Sequence, residues 1–68
     1  MNKTKINTEI IKLDAFLKWA GIVSSGSEAK IYIQDGLVKV NGEICTQRGK
    51  KLKVGDKVKF EDSDFEII

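Results

Sequence analysis

The stretch from Ser24 to Cys45 constrains this chain more than any other, because nearly every position in it has an assignable structural role. Ser25, Gly26, Ser27 and Glu28 spell a capping box, in which the Ser25 hydroxyl and the Glu28 carboxylate each satisfy an unpaired backbone N–H at a helix start. A helix is therefore predicted to begin at Gly26. Ala29, Tyr32 and Ile33 recur at helical spacing as its buried stripe, Ile31 falls opposite that stripe, and Gly36 offers the left-handed residue that ends a helix near Asp35. Val38-Lys39-Val40 and Glu43-Ile44-Cys45 then flank Asn41-Gly42, the dipeptide that best tolerates the two positive φ angles of a type I′ hairpin turn.

Upstream, Leu13, Phe16, Leu17 and Ala20 sit at i, i+3, i+4 and i+7, a helical stripe that Gly21 is placed to end. Ile22 and Val23 link this first helix to the second so tightly that the two should pack together. Lys18 lies away from the stripe, while Lys12 and Trp19, seven apart, share one flank beside it. Ile6, Ile10 and Ile11 come earlier, and a short strand is predicted around residues 9 to 11. Downstream, Thr46 to Lys53 reads as a polar, basic connector without strand or helix periodicity. Leu52 and Val54 are predicted to re-enter the core, and Gly55-Asp56 to turn. Val58 and Phe60 alternate with Lys57, Lys59 and Glu61 as a half-buried strand. A last strand carrying Phe65, Ile67 and Ile68 should follow a turn at Asp62-Ser63-Asp64. The fold class is α+β, two short packed helices against a small, mainly antiparallel sheet, with residues 1–68 as one domain.

A chain of 68 residues buries only about 60% of its unfolded surface, which leaves little room for a large catalytic cleft. It contains no histidine and one cysteine, so the commonest general base and zinc ligand is missing and no thiolate metal site can assemble. Neither catalytic residues nor a cofactor are expected, and Cys45 reads as a small buried hydrophobe. No apolar run approaches the roughly 20 residues of a membrane span, and no apolar stretch follows the basic N-terminal residues. A cytoplasmic protein without a membrane partner is expected.

Charge is unevenly placed. Residues 1–59 hold all twelve Lys and Arg against six acids, and residues 60–68 hold the other four acids and no base. A basic body with an acidic end suits a polyanion-binding face on one side and a tail that solvates or repels on the other. Lys30 lies near the capped start of the second helix, where free N–H groups and the helix dipole already favour an anion. Lys39 in the hairpin and Arg48, Lys50 and Lys51 in the connector complete a basic arc with Lys12 and Lys18. Trp19, bordering an apolar stripe, reads as packing in preference to base stacking, and Tyr32 as core.

These residues resemble a known family, the RNA-binding domain first described in small-subunit ribosomal protein S-four, also called the αL RNA-binding motif. Its opening Arg-Leu-Asp-x-Phe-Leu is matched by Lys12-Leu13-Asp14-Ala15-Phe16-Leu17, with lysine for arginine. Its Ser-Arg-x-x-Ala corresponds to Ser25-Gly26-Ser27-Glu28-Ala29, its Ile near the helix end to Ile33, and its Gly-x-Val-x-Val-Asn-Gly to Gly36-Leu37-Val38-Lys39-Val40-Asn41-Gly42. The closing Gly-Asp-x-Val is Gly55-Asp56-Lys57-Val58. The match runs from about Lys12 to Phe60. Gly26 stands where many members carry an RNA-contacting arginine, so that contact is not carried over. The combination of Leu17 to Gly21, Ser25 to Lys30 and Arg48 to Leu52 looks like the short stand-alone bacterial members, the YbcJ/YaaA-like proteins.

The resemblance implies binding to structured RNA, such as ribosomal RNA, through the two-helix face and the hairpin, and a non-enzymatic, monomeric domain is expected. Lys12, Lys18, Lys30, Lys39, Arg48, Lys50 and Lys51 would neutralise phosphates, and Ser24, Ser25, Ser27 and Gln47 would hydrogen-bond phosphate or ribose. Two rival readings remain: a protein-interaction adaptor using a Trp19/Ile31 surface, and a small regulatory domain that binds an anionic metabolite.

Overall fold

A computed structural model describes residues 2–68. Its two helices are α1, Leu13–Trp19, and α2, Gly26–Gln34; its strands are β1, Asn2–Thr4, β2, Ile10–Lys12, β3, Val38–Val40, β4, Glu43–Ile44, β5, Lys51–Lys53, β6, Lys57–Phe60, and β7, Ser63–Ile67. The α+β class holds. Five strands form a mixed sheet in the order β1-β7-β6-β3-β4, and β2 and β5 form a separate two-stranded ribbon. All pairs are antiparallel except β1 with β7. No helix among the described residues is long and apolar enough to cross a membrane.

Both helices end as their glycines suggest. The N–H groups of Gly21 and Ile22 donate to the carbonyls of Lys18 and Leu17. Those of Gly36 and Leu37 donate to Ile33 and Tyr32. This is the Schellman arrangement, which satisfies the last helical carbonyls. The start of α2 is half of the expected box: the Ser25 hydroxyl accepts from the Glu28 N–H at 3.2 Å. The reciprocal bond from the Ser25 N–H to the Glu28 carboxylate is not formed among the described residues. Ser25 is exposed, so water can serve its N–H.

One face of the five-stranded sheet is apolar and covered by the helices. Phe16 of α1 meets Phe65 of β7 edge to face at 6.4 Å, and Tyr32 of α2 packs on Phe60 of β6 at 5.1 Å. Leu13, Phe16, Leu17, Ala29, Ile33, Val38, Leu52 and Ile67 are fully buried between them. At the hairpin, Asn41 and Gly42 have φ of 52° and 88°, the two positive values that a type I′ turn requires.

The structure corrects several expectations. The segment before residue 6 contributes β1, which no apolar pattern announces; it is held in register by β7, Lys3 opposite Glu66. The connector is not wholly irregular, since Lys51–Lys53 is a strand, one too short to show a period by itself. Val54 does not return to the core and is 59% exposed. Gly55 turns with φ of 99°, and an Asp56 carboxylate oxygen accepts the Lys53 N–H at 2.9 Å, so β5 ends before Val54 can point inward. The last turn falls at Glu61-Asp62, not at 62–64, because Phe60 pairs directly with Ser63. Consequently the acidic end is not a free tail: residues 63–67 form β7, between β1 and β6.

Candidate nucleic-acid interface

The chain passes from β2 into α1 without a loop, and Lys12, the N-cap of α1, makes no side-chain capping bond. The orphaned N–H groups at this helix start are taken instead by the connector: Leu13 donates to the Lys50 carbonyl at 2.8 Å and Asp14 to the Arg48 carbonyl at 3.1 Å. The Asp14 carboxylate reinforces the joint, one oxygen accepting from the Ala15 N–H and the other from Arg48 Nε at 3.2 Å. Arg48–Asp14 is the one ion pair among the described residues. The backbone of the connector is thus structural, while its side chains project from a fixed support.

The ribbon beside this joint is two-faced. Ile11 lies opposite Leu52, and Leu52 is fully buried. On the other face Lys12 lies opposite Lys51, and Ile10 opposite Lys53. Three exposed lysines therefore share one surface with a half-exposed isoleucine and no carboxylate. Residues directly opposite in an antiparallel pair stand about 5 Å apart, so Lys12 and Lys51 repel one another in the free protein. An anion laid across the ribbon relieves that repulsion.

The anticipated residues divide into three groups. Lys12, Arg48, Lys50 and Lys51 come together at the start of α1, with Gln47 beside them, since Gln47 and Lys50 line one open groove with the β4 side of the hairpin. Lys12 belongs to β2, so a helical flank shared with Trp19 does not describe it. Ser24, Ser25, Ser27 and Lys30 are exposed where α2 begins. The link into this helix start folds back on α1, the Ile22 and Val23 N–H groups both donating to the Leu17 carbonyl. Lys18 is exposed in the last turn of α1. Lys39 stands apart: Val38 and Val40 point into the core, so Lys39 projects from the sheet face turned away from the helices.

Lys53, which the sequence reading leaves out of the candidate residues, joins the lysine face of the ribbon. The signal was the alternation Lys51-Leu52-Lys53, hidden inside a segment read as loop. Trp19 is 52% exposed, and its indole N–H donates to the Lys5 carbonyl at 2.9 Å, so the ring is anchored yet keeps open surface. Ile31 is 58% exposed, as its position opposite the α2 stripe predicts. Cys45 is half-buried and continues the hairpin ladder by donating its N–H to the Val38 carbonyl.

Comparison with known proteins points the same way as the motifs. The family model described as "S4 domain" matches residues 4–68. The chain is 41% identical over 68 residues, covering 98% of it and 96% of the relative, to a Bacillus subtilis protein named "Probable ribosome maturation protein RlbA". It is 34% identical over 58 residues, 85% of this chain and 83% of the relative, to an Escherichia coli protein named "Putative RNA-binding protein YbcJ".

Proposed function

The chain belongs to the S4 domain family, and on that premise we propose that it binds structured RNA, ribosomal RNA or its precursor, as a single non-enzymatic domain. The observation that carries this reading is the acid-free lysine face of the β2–β5 ribbon, with Arg48 and Lys50 presented beside it by the cap of α1. Phosphate contacts from such a face fix position and orientation on a folded RNA without reading its bases. The exposed start of α2, with Ser24, Ser27 and Lys30, supplies a second set of contacts. The half-exposed Trp19 ring adds a surface for an unpaired base. Ribosomal RNA is the favoured target because the Bacillus relative is named for ribosome maturation.

Fluorescence anisotropy with purified ribosomal RNA and with an unrelated labelled stem-loop tests this. Affinity for ribosomal RNA should exceed that for the stem-loop and fall with salt, each phosphate contact contributing a slope of roughly −0.7 to −0.9 in log affinity against log salt. No binding at low salt removes RNA as the ligand. Equal affinity for both RNAs removes the ribosomal assignment and leaves the rest.

A further inference from the structure

The five-stranded sheet has a second face, turned away from the helices, and its charges are ordered. On β6, Val58 is buried and its neighbours Lys57 and Lys59 project outward. Lys59 lies directly opposite Lys39 of β3 on one side and Asp64 of β7 on the other, while Lys57 lies opposite Glu66. The acids therefore sit toward β7, and the three lysines gather toward the hairpin. There they line an open groove of about 440 Å³ together with Asn41, Gly42 and Gly55, and with Asp64 on the β7 side. None of the three lysines has a carboxylate within ion-pair distance, the Arg48–Asp14 pair being the one found among the described residues.

We propose that this outer groove is a second phosphate-binding surface, in which Lys39, Lys57 and Lys59 hold the backbone of an RNA segment distinct from the one on the ribbon. The proposal rests on the RNA-binding reading above and extends it to the outer face of the five-stranded sheet. Three features favour a nucleic-acid backbone. Lys39 and Lys59, directly opposite on neighbouring strands, repel each other until an anion intervenes. Lys57 and Lys59 are two residues apart on one strand, about 6.8 Å at 3.4 Å per residue, close to the separation of successive phosphates along a polynucleotide. Gly42 and Gly55 line the groove without a side chain, and a Cβ at either would meet open space, so nothing there bars a sugar-phosphate chain. The groove also joins the ribbon through a short turn, Lys53 and Lys57 standing on either side of Val54-Gly55-Asp56. One RNA can therefore reach both surfaces.

The test compares Lys57→Gln/Lys59→Gln with Lys51→Gln/Lys53→Gln, each titrated against ribosomal RNA at two salt concentrations. The outer-groove pair should lower affinity roughly three- to tenfold at low salt and reduce the salt slope by about 1.5, two contacts' worth. Lys57→Arg/Lys59→Arg should restore both, because charge and reach are kept. Melting temperature should shift by only a few degrees in the Gln variant, since the repulsion from Lys39 and the cross-strand attraction to Asp64 and Glu66 are removed together. A ribbon variant that weakens binding beside an outer-groove variant that does not overturns the second surface and leaves the RNA-binding reading intact. Absence of binding by the wild-type chain overturns both. Amide NMR titration with the same RNA should move the signals of Lys39, Lys57 and Lys59. If polyglutamate moves them equally and binds as tightly, the groove serves an acidic protein and the proposal is wrong.

Discussion

Two polar regions lie a few residues apart on neighbouring strands and behave in opposite ways. At the junction between the hairpin tip and the β5–β6 turn, polar groups are used against one another. Asn41 donates its N–H to the Lys57 carbonyl at 2.7 Å, its side-chain oxygen accepts the Lys57 N–H at 3.0 Å, and its amide donates to Asp56 at 3.2 Å. The other Asp56 oxygen accepts the Lys53 N–H. On the ribbon, by contrast, Lys12, Lys51 and Lys53 leave their ammonium groups to solvent. The Asn-Gly and Gly-Asp signatures that make the family recognisable are thus two halves of one structural joint. Residues that bond to backbone hold the fold, and residues left without a protein partner are those available to a ligand.

The strongest way to break this contrast is at the junction. Asn41→Ala with Gly42→Val should destabilise the fold by about 3 kcal/mol or more, combining two lost side-chain hydrogen bonds of about 1 kcal/mol each with a β-branched residue forced to φ of 88°. A loss of that size shifts the melting temperature of a domain this small by more than about 12 °C. Circular dichroism melts decide it, and an unchanged midpoint would remove the structural role of the junction. The complementary change, Lys12→Gln/Lys51→Gln/Lys53→Gln, should leave the midpoint in place and weaken ribosomal RNA binding roughly ten- to hundredfold at low salt, with the slope reduced by two to three. If both variants melt alike, the division of labour fails.

Both helices, the hairpin and the second turn were legible because each is written in local chemistry: Ser25 as a cap, Gly21 and Gly36 as left-handed stops, Asn41-Gly42 as a turn. What was hidden depends on partners distant in the chain. β1, with no apolar residue, exists because β7 offers it a free edge and a Glu66 opposite Lys3. β5 exists because Leu52 has a place in the core and β2 a strand to pair with. The site was legible as residue types but not as a surface. Lys12, Arg48, Lys50 and Lys51 converge because connector carbonyls cap α1, a long-range event that no spacing announces. Lys39 separates from them because a strand turns every second side chain away from the core.

A smaller effect sharpens the border between the regions. Arg48 is half-exposed and its partner Asp14 mostly covered, 47% and 18%, so Arg48 lies between the two roles: its Nε is spent on the fold and its terminal nitrogens are not. Changing Arg48, Lys50 and Lys51 together to Ala should cost about 1 kcal/mol, nearly all of it from Arg48. Lys50→Ala/Lys51→Ala alone should melt like wild type. Equal midpoints for the two variants would show that the Asp14 pair does not support the connector.

The smallest expected effect concerns the acids of β7. As part of a free tail, Asp64 and Glu66 would influence RNA only through long-range repulsion, and their neutralisation would leave stability untouched. In the sheet they stand opposite Lys59, and opposite Lys57 and Lys3, respectively. Such cross-strand pairs of opposite charge contribute about 0.2–1 kcal/mol each. Asp64→Asn/Glu66→Gln should therefore lower the midpoint by a few degrees, an effect that shrinks at high salt as the pairs are screened. The same change frees Lys57 and Lys59 from their neighbours and should tighten RNA binding about two- to threefold at low salt. The two readouts separate the possibilities: lower stability with tighter binding places the acids as internal competitors of the phosphate backbone. Tighter binding without a change in midpoint would make them a distant field, as for a tail.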